Sequence, residues 1–182
     1  MLQKKICLLG ARGVGKRTIL SRFESNSFPA DYLTTIGVQI AKKSIVVGTQ
    51  TITLMIWDVA DLEGFETTEM AYARGMSGYF LVADGTRPPT LARAYQIYER
   101  LYSFEQPPPE VPDPKVPYIQ FPFRKIPFVL LLNKSDLAEE WRFEGRFLDV
   151  LRGRGWPVLK SSAKENQGVE EAFLSLVQKM LA

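Results

Sequence analysis

The sequence has 182 residues, of which 46% are hydrophobic and 24% are charged, and this size and composition suit one globular domain. Its single cysteine and its lack of histidine exclude disulfide bonds within the chain, cysteine-rich zinc sites and every catalytic triad that needs histidine. The net charge of +3 comes from scattered lysines and arginines, which favours an ordinary solvated surface over a nucleic-acid interface.

Targeting signals are not apparent. No apolar stretch reaches transmembrane length, and the N-terminal residues lack the pattern of a secretory signal. Leu2 stands where myristoylation needs glycine, and residues 179–182 contain no cysteine for prenylation. We therefore expect a cytoplasmic protein that is monomeric on its own, with no lipid anchor encoded in this chain.

Strand patterns and helix patterns alternate along the chain. The predicted strands lie at residues 3–9, 37–47, 51–58, 78–84, 127–132 and near 157–160, with a hairpin turn at 48–50. The predicted helices lie at about 15–25, 90–103, 144–152 and 168–181. The apolar runs at 78–84 and 127–132 are typical of parallel strands that are buried on both faces. This order predicts an α/β fold with a six-stranded, mostly parallel sheet, one antiparallel edge strand and helices on both faces.

One segment departs from this alternation. Residues 107–127 hold eight of the twelve prolines, and proline lacks the amide donor that a helix interior or a central strand requires. We interpret residues 104–126 as a Pro-rich insertion between the third helix and the fifth strand of a single domain, residues 1–182. It should leave the sheet at the end opposite the ligand site. A plain loop is favoured over a polyproline segment that docks onto a partner.

A glycine-rich turn lies between the first predicted strand and the first predicted helix. It reads Gly10-Ala11-Arg12-Gly13-Val14-Gly15-Lys16 and matches the phosphate-binding loop. Glycines let backbone amides converge on phosphates, the helix N-terminus favours anions, and the lysine bridges the outer phosphates. An ordinary turn is the alternative, but the strand–loop–helix context favours a nucleoside phosphate site.

Two later segments indicate the base. Asn133-Lys134-Ser135-Asp136 follows a buried strand, and its final carboxylate can accept hydrogen bonds from the ring N–H and the exocyclic amine of guanine. Adenine would leave that carboxylate unpaired, at a cost of roughly 1–3 kcal/mol or more. Ser162-Ala163-Lys164, after the last strand, can place a backbone amide on the guanine oxygen. Each segment alone is more often a polar loop, but together and in this order they predict GTP or GDP.

These motifs resemble those of the Ras superfamily of small GTPases, and most closely its Rab branch. The resemblance runs from Lys5 to Tyr98 and from Phe128 to the C-terminus. It implies a P-loop NTPase fold of the Ras-like type, GTP hydrolysis, a Mg²⁺ cofactor, and protein effectors or regulators that bind through two switch regions.

The resemblance also assigns individual roles. Thr35 would coordinate magnesium and sense the γ-phosphate, and Asp58 would bind magnesium through water. Phe28 would pack against guanine. Trp57 and Tyr72 stand where Rab-like proteins contact effectors, although the residues alone favour core packing. Matches to Rab-type sequence near the second switch also include Glu63, Phe65, Arg74 and Gly75.

The implied nucleotide-binding residues are Gly10, Arg12, Gly13, Val14, Gly15, Lys16, Arg17, Thr18, Phe28, Thr35, Asn133, Lys134, Asp136, Ser162, Ala163 and Lys164. Lys16, Thr35 and Leu62 are the catalytic positions, Leu62 in degenerate form, and Thr35 and Asp58 are the metal positions.

The metal position differs from the family pattern. Arg17 occupies the place of the Ser or Thr whose hydroxyl ligates magnesium. Thr18 cannot replace it, because the next residue of a helix points about 100° away. A guanidinium repels Mg²⁺, so we expect weakened metal binding. Arg17 could instead lie against phosphate oxygens and partly replace the charge of the metal.

The hydrolytic positions differ as well. Where the family reads Asp-x-x-Gly-Gln, this chain reads Asp58-Val59-Ala60-Asp61-Leu62. Asp61 adds a negative charge beside the γ-phosphate, and Leu62 cannot orient the attacking water. Arg12 adds bulk at the edge of the loop, so intrinsic hydrolysis should be slow. Two alternatives stay open: Arg12 acting as an arginine finger in cis, which the missing glutamine disfavours, and Asp61 pairing with Arg17 or Arg12.

Two hypotheses of function follow. The first is a guanine-nucleotide switch or signalling module whose hydrolysis is weak or depends on a partner, and the base-reading motifs favour it. The second is a pseudo-GTPase scaffold that does not cycle nucleotide, which the four altered positions favour. Neutral drift in a protein that no longer needs hydrolysis and selection for a locked state explain these four positions equally well: Arg12, Arg17, Asp61 and Leu62.

Overall fold

The computed structural model describes residues 2–28, 37–60, 68–105, 126–143 and 145–182. Six strands lie in it: β1 (Leu2–Leu9), β2 (Val38–Val47), β3 (Gln50–Val59), β4 (Gly78–Asp84), β5 (Phe128–Asn133) and β6 (Val158–Lys160). The helices are α1 (Lys16–Ser25), α2 (Thr68–Ala73), α3 (Pro88–Glu105), α4 (Arg146–Gly153) and α5 (Val169–Leu181), with a 3₁₀ turn at Ala138–Glu140. No helix within these ranges is long and apolar enough to cross a bilayer.

The strands form one sheet in the order β2-β3-β1-β4-β5-β6. Every neighbouring pair is parallel except β2 with β3, so β2 is an antiparallel edge strand. The predicted fold class is therefore confirmed. Because the five parallel strands all point the same way, the segments that follow β1, β4, β5 and β6 emerge at one edge of the sheet. Open α/β sheets bind their ligands at this edge.

The core has two layers, one on each face of the sheet, and β1 shows how the sequence divides them. Ile6 and Leu8 pack with the apolar faces of α1 and α5, whereas Cys7 and Leu9 pack with those of α2, α3 and α4. This division follows from the period of two in a strand, which sends successive side chains to opposite faces. Every residue of β4 and β5 is buried, which agrees with their continuous apolar sequences.

The boundaries differ from the predicted ones where local chemistry outweighs periodicity. Helix α3 begins at Pro88 rather than at 90, because proline in the first turn of a helix loses no intrahelical hydrogen bond. The β2–β3 turn has only the two residues Gly48 and Thr49, since Gln50 already pairs with Val47. Helix α2 was not predicted, and at six residues it is too short to show a helical period.

The predicted Pro-rich insertion falls between α3 and β5. Helix α3 ends at Glu105 and β5 begins at Phe128, so the chain returns to the sheet at the end of β5 that lies away from Asn133. Residues 106–125, which make up most of the predicted insertion, lie outside the described residues.

Candidate functional site

The glycine-rich loop turns sharply from β1 into α1. A Cβ atom added to Gly10, whose φ is +146°, would lie 2.1 Å from the carbonyl oxygen of Val82. A Cβ atom added to Gly15, whose φ is +97°, would lie 2.3 Å from Nδ2 of Asn133. Both the backbone conformation and the available space therefore require glycine at these two positions. Gly13 also has a positive φ, of 75°.

Lys16 is the first residue of α1, and its side chain is buried beneath the loop. Its Nζ atom donates hydrogen bonds to the carbonyl oxygens of Gly10 at 2.6 Å and Ala11 at 3.0 Å. The loop therefore curves around a positive charge at the N-terminus of a helix. Both features attract anions, and a phosphate is the anion that such a loop fits.

Asn133, at the carboxyl end of β5, connects the loop to the last turn of the site. Its Nδ2 atom donates to the carbonyl oxygen of Val14 at 2.9 Å. Its Oδ1 atom accepts hydrogen bonds from the amide of Ala163 at 3.1 Å and from Oγ of Ser161 at 3.2 Å. Because Asn133 is buried, these bonds satisfy polar groups that water cannot reach. One side chain thereby fixes three segments relative to one another.

The carboxylate of Asp136 lies beside the Ser162–Lys164 turn. Oγ of Ser162 donates to its Oδ1 atom at 2.6 Å, and Nζ of Lys164 lies 4.0 Å from Oδ2. The side chain of Asp136 is only 11% exposed. An ionised carboxylate has about four acceptor positions, so these contacts leave acceptors for a ligand. Asp136 is therefore held in one orientation and can still accept hydrogen bonds from a pair of N–H donors on a ligand.

Asp84, at the end of β4, was not among the predicted site residues. Its fully buried carboxylate accepts hydrogen bonds from Nζ of Lys134 at 2.7 Å, Nε of Arg87 at 2.8 Å and Oγ1 of Thr86 at 2.7 Å. Burial raises its pKa, but the hydrogen bonds from Lys134, Thr86 and Arg87 outweigh burial and lower the pKa from 3.8 to about 2. The signal was present in the sequence, since an aspartate ends a strand that is otherwise apolar.

Arg87 extends this network to the phosphate loop. Its Nη2 atom donates to the carbonyl oxygen of Arg12 at 3.1 Å, while its Nε atom contacts Asp84. Lys134 itself has a positive φ of 69°, which brings its side chain back over the end of β4. The predicted base-reading motif and the phosphate loop are thus joined through Asp84 and Arg87.

The metal positions are described only in part. Asp58 is fully buried near the end of β3, and Arg17 is half-buried in the first turn of α1. A guanidinium has no lone pair to give a metal, so Arg17 cannot be a ligand. Among the described residues no three His, Cys, Asp or Glu side chains form a cluster, but a Mg²⁺ ion bound together with a nucleotide needs only one or two protein ligands beside phosphates and water. Thr35, Asp61 and Leu62 lie outside the described residues, so the weakened metal site stays a prediction.

Comparison with known proteins decides the family. The sequence model of the Ras family matches residues 5–182. This chain belongs to the Ras family. Ras-related protein RABA6b of Arabidopsis thaliana is 36% identical over 174 residues, which cover 95% of this chain and 69% of that protein. Rab-25 of Bos taurus is 33% identical over 181 residues, covering 98% and 76%. GTP-binding protein yptV2 of Volvox carteri is 32% identical over 184 residues, covering 98% and 75%.

The Rab-like character suggested by the motifs is thereby confirmed, and the chain is a Rab-like small GTPase by family. The structure brings the predicted site residues of the 10–16 loop, Asn133, Asp136 and the 162–164 turn together at one edge of the sheet. Phe28 is 48% exposed beside α1, so its ring is available to a ligand. Thr18 is half-buried in the first turn of α1.

Near the second switch, Trp57 and Tyr72 lie side by side, with ring centroids 6.2 Å apart. Nζ of Lys5 lies 4.1 Å from the ring centroid of Trp57 and donates to the carbonyl oxygens of Tyr72 and Arg74. Both rings are partly buried against the core layer beneath α2 and α3. The pair therefore takes part in core packing and keeps part of its surface exposed; its predicted contact with effectors stays a prediction. Glu63 and Phe65 lie outside the described residues.

Proposed function

We propose that this protein binds guanine nucleotides as a Rab-like switch or signalling module whose GTP hydrolysis is weak or depends on a partner. The observation that carries the proposal is the buried network around Asn133, which holds Val14 of the phosphate loop and Ala163 of the last turn in one arrangement. The network therefore holds the candidate phosphate-binding and base-binding segments together, as the binding of one nucleotide requires.

The choice of guanine rests on Asp136. Its carboxylate is oriented by Ser162 and is mostly shielded from water, so an incoming base must satisfy it. Guanine offers an N–H and an amine on adjacent atoms, whereas adenine would face the carboxylate with an acceptor. Leaving a buried carboxylate unmatched is the kind of penalty that separates substrates by several orders of magnitude.

Weak hydrolysis rests on the sequence around the γ-phosphate. Leu62 offers no donor or acceptor to orient water, Asp61 adds negative charge, and Arg12 adds bulk. Arg17 removes a hydroxyl that would ligate magnesium and replaces it with a cation. Magnesium, where it is bound, would neutralise phosphate charge, and Asp58 is the described side chain that would help to hold it. We propose that this metal is weakly held.

A pseudo-GTPase scaffold is the second candidate. One observation favours it: the phosphate loop is held by contacts within the protein, from Lys16 to Gly10 and Ala11 and from Arg87 to Arg12. A loop with that support keeps its shape whether or not nucleotide turns over. In both candidates we propose cytoplasmic partners that bind at the switch surface around Trp57 and Tyr72.

Titration separates the candidates. Nucleotide-free protein is titrated with fluorescent GDP, a non-hydrolysable GTP analogue and fluorescent ADP, and single-turnover GTP hydrolysis is then followed in the same preparation. The proposal predicts guanine-selective binding, weakened by about a thousandfold in Lys16→Ala because a buried cation that contacts phosphate is lost. Lys179→Ala, at an exposed position in the last turn of α5, is the control and should bind as the parent does.

Three outcomes are informative. Selective binding with little single-turnover hydrolysis supports the proposal as stated. Rapid hydrolysis without any partner would contradict the proposal that hydrolysis is weak or depends on a partner. If neither guanine nucleotide binds, the pseudo-GTPase scaffold is the remaining candidate, and partner binding should then be the same in Lys16→Ala and the parent.

A further inference from the structure

Arg22 lies on α1, one turn before the residue that ends the helix, and its guanidinium contacts three carbonyl oxygens. Nε donates to Ala163 at 2.7 Å and Nη2 donates to Lys164 at 2.7 Å. Nη1 donates to Asn26, the C-cap residue of α1, at 3.0 Å. The first two partners are more than 140 positions away along the chain, so they join the end of α1 to the last turn of the site.

The bond to Ala163 fixes the orientation of one peptide group. In a trans peptide the carbonyl and the following amide point in opposite directions. With the Ala163 carbonyl directed at Arg22, the amide of Lys164 is directed away from Arg22. A backbone amide of the Ser162–Lys164 turn is the group expected to meet the guanine oxygen, so Arg22 restricts where such a donor can point.

The bond to Lys164 fixes the next peptide group, and the structure shows the result. The amide of Glu165, which points away from Arg22, donates to Oγ of Ser162 at 3.0 Å. Ser162 in turn donates to Oδ1 of Asp136 at 2.6 Å. A continuous series of hydrogen bonds therefore runs from Arg22 to Asp136, the carboxylate that selects the base.

Arg22 also lies against Phe28, with its central carbon 5.5 Å from the ring centroid, within the range of a cation–π contact. Nearby, Nδ2 of Asn166 donates to Oδ1 of Asn26 at 2.9 Å, a second link between α1 and the last turn. Arginine suits this position because its planar fork presents five N–H donors in fixed directions, which a lysine ammonium does not.

We infer that Arg22 is a positioning residue for base selection: it orients the 163–165 backbone, and through Ser162 the carboxylate of Asp136, for an incoming guanine. Nothing in the local sequence of α1 indicated this role, because its partners come from the other end of the chain. The inference rests on the proposed binding of guanine nucleotide.

The test compares GDP with inosine diphosphate, which lacks the exocyclic amine that Asp136 would accept from. Arg22→Met keeps an unbranched side chain but removes every donor, and Arg22→Lys keeps the charge without the fork. Lys43→Met is the matched control: Nζ of Lys43 donates to the Phe23 carbonyl and lies 4.1 Å from the Phe23 ring centroid, away from the 163–165 turn. Dissociation constants for both nucleotides and the unfolding temperature are measured for each variant.

The inference predicts that Arg22→Met reduces the preference for GDP over inosine diphosphate by about tenfold, the size expected for one hydrogen bond to a charged group. The preference of Arg22→Lys for GDP should lie between those of the parent and Arg22→Met. Lys43→Met should keep the parent's preference even where its unfolding temperature falls. Equal weakening of both nucleotides in Arg22→Met, with the preference intact, would show a purely structural role and overturn the inference while the proposed function stands. A parent protein that binds neither nucleotide would overturn both.

Discussion

The two ends of the nucleotide site differ in how much of the family's chemistry they keep. At the base end, Ser162 donates a hydrogen bond to Asp136 at 2.6 Å, and the buried side chain of Asn133 accepts hydrogen bonds from Ser161 and Ala163 at 3.2 and 3.1 Å. At the phosphate end, the glycines and Lys16 are kept, but Arg17 replaces a metal ligand. Recognition and turnover are therefore separable, because a site can keep the interactions that hold a ligand while it loses those that stabilise the transition state.

The largest effect is expected where the two ends meet, at Gly15. In Gly15→Ala the new Cβ would be 2.3 Å from Nδ2 of Asn133, in a backbone conformation that alanine rarely adopts. We expect a loss of about 3 kcal/mol or more in the free energy of unfolding, together with loss of GDP binding. Gly153→Ala is the matched control, since nothing lies within 4 Å of its added Cβ. Urea unfolding checks the pair, and similar stability of the two variants would contradict the described packing.

Asp136→Asn removes the charge that reads the base and leaves the phosphate end untouched. We expect GDP affinity to fall by about a hundredfold, because an amide replaces one of two charged acceptors with a donor. Binding of inorganic pyrophosphate, measured by calorimetry, should stay at the parent's level. If GDP affinity were unchanged, the nucleotide would not be read by Asp136.

Asp84 connects the two ends of the site: it contacts Lys134 at the base end, and it contacts Arg87, which bonds to Arg12 at the phosphate end. We expect Asp84→Asn to lower the free energy of unfolding by about 2 kcal/mol at pH 7, since two cations lose their shared carboxylate. Arg87→Ala should cost less, because its side chain is 47% exposed and water screens it.

The pH dependence of this effect has a defined sign. The folded-state pKa of Asp84 is lowered from 3.8 to about 2, so its carboxylate stabilises the fold above the unfolded-state pKa. That stabilisation is lost as the pH falls from about 4 towards 2. The stability difference between the parent and Asp84→Asn should therefore shrink over this window in urea unfolding. A difference that stays constant through this window would mean that folding does not lower the pKa of Asp84.

The sequence predicted the sheet and its order of elements because strand and helix periods are local signals, strongest in β4 and β5, which are apolar except for the final Asp84 and Asn133. It did not show α2, which is too short to have a period. It indicated Lys16, Asn133 and Asp136 through motif spacing. It could not indicate Arg22 or Arg87, because an arginine on a helix has the same local pattern whether it faces water or the backbone of a distant turn. Their roles depend on tertiary contacts.

The effect of magnesium on GDP affinity, compared between the parent and Arg17→Ser, tests most directly whether the base end binds nucleotide independently of the metal. The base end should bind GDP in both proteins, whereas only Arg17→Ser offers the metal a hydroxyl ligand in place of a cation. We expect magnesium to tighten GDP binding by less than about threefold in the parent and by about tenfold or more in Arg17→Ser. A parent that already gains tenfold from magnesium, or an Arg17→Ser variant that gains no more than the parent, would contradict this expectation.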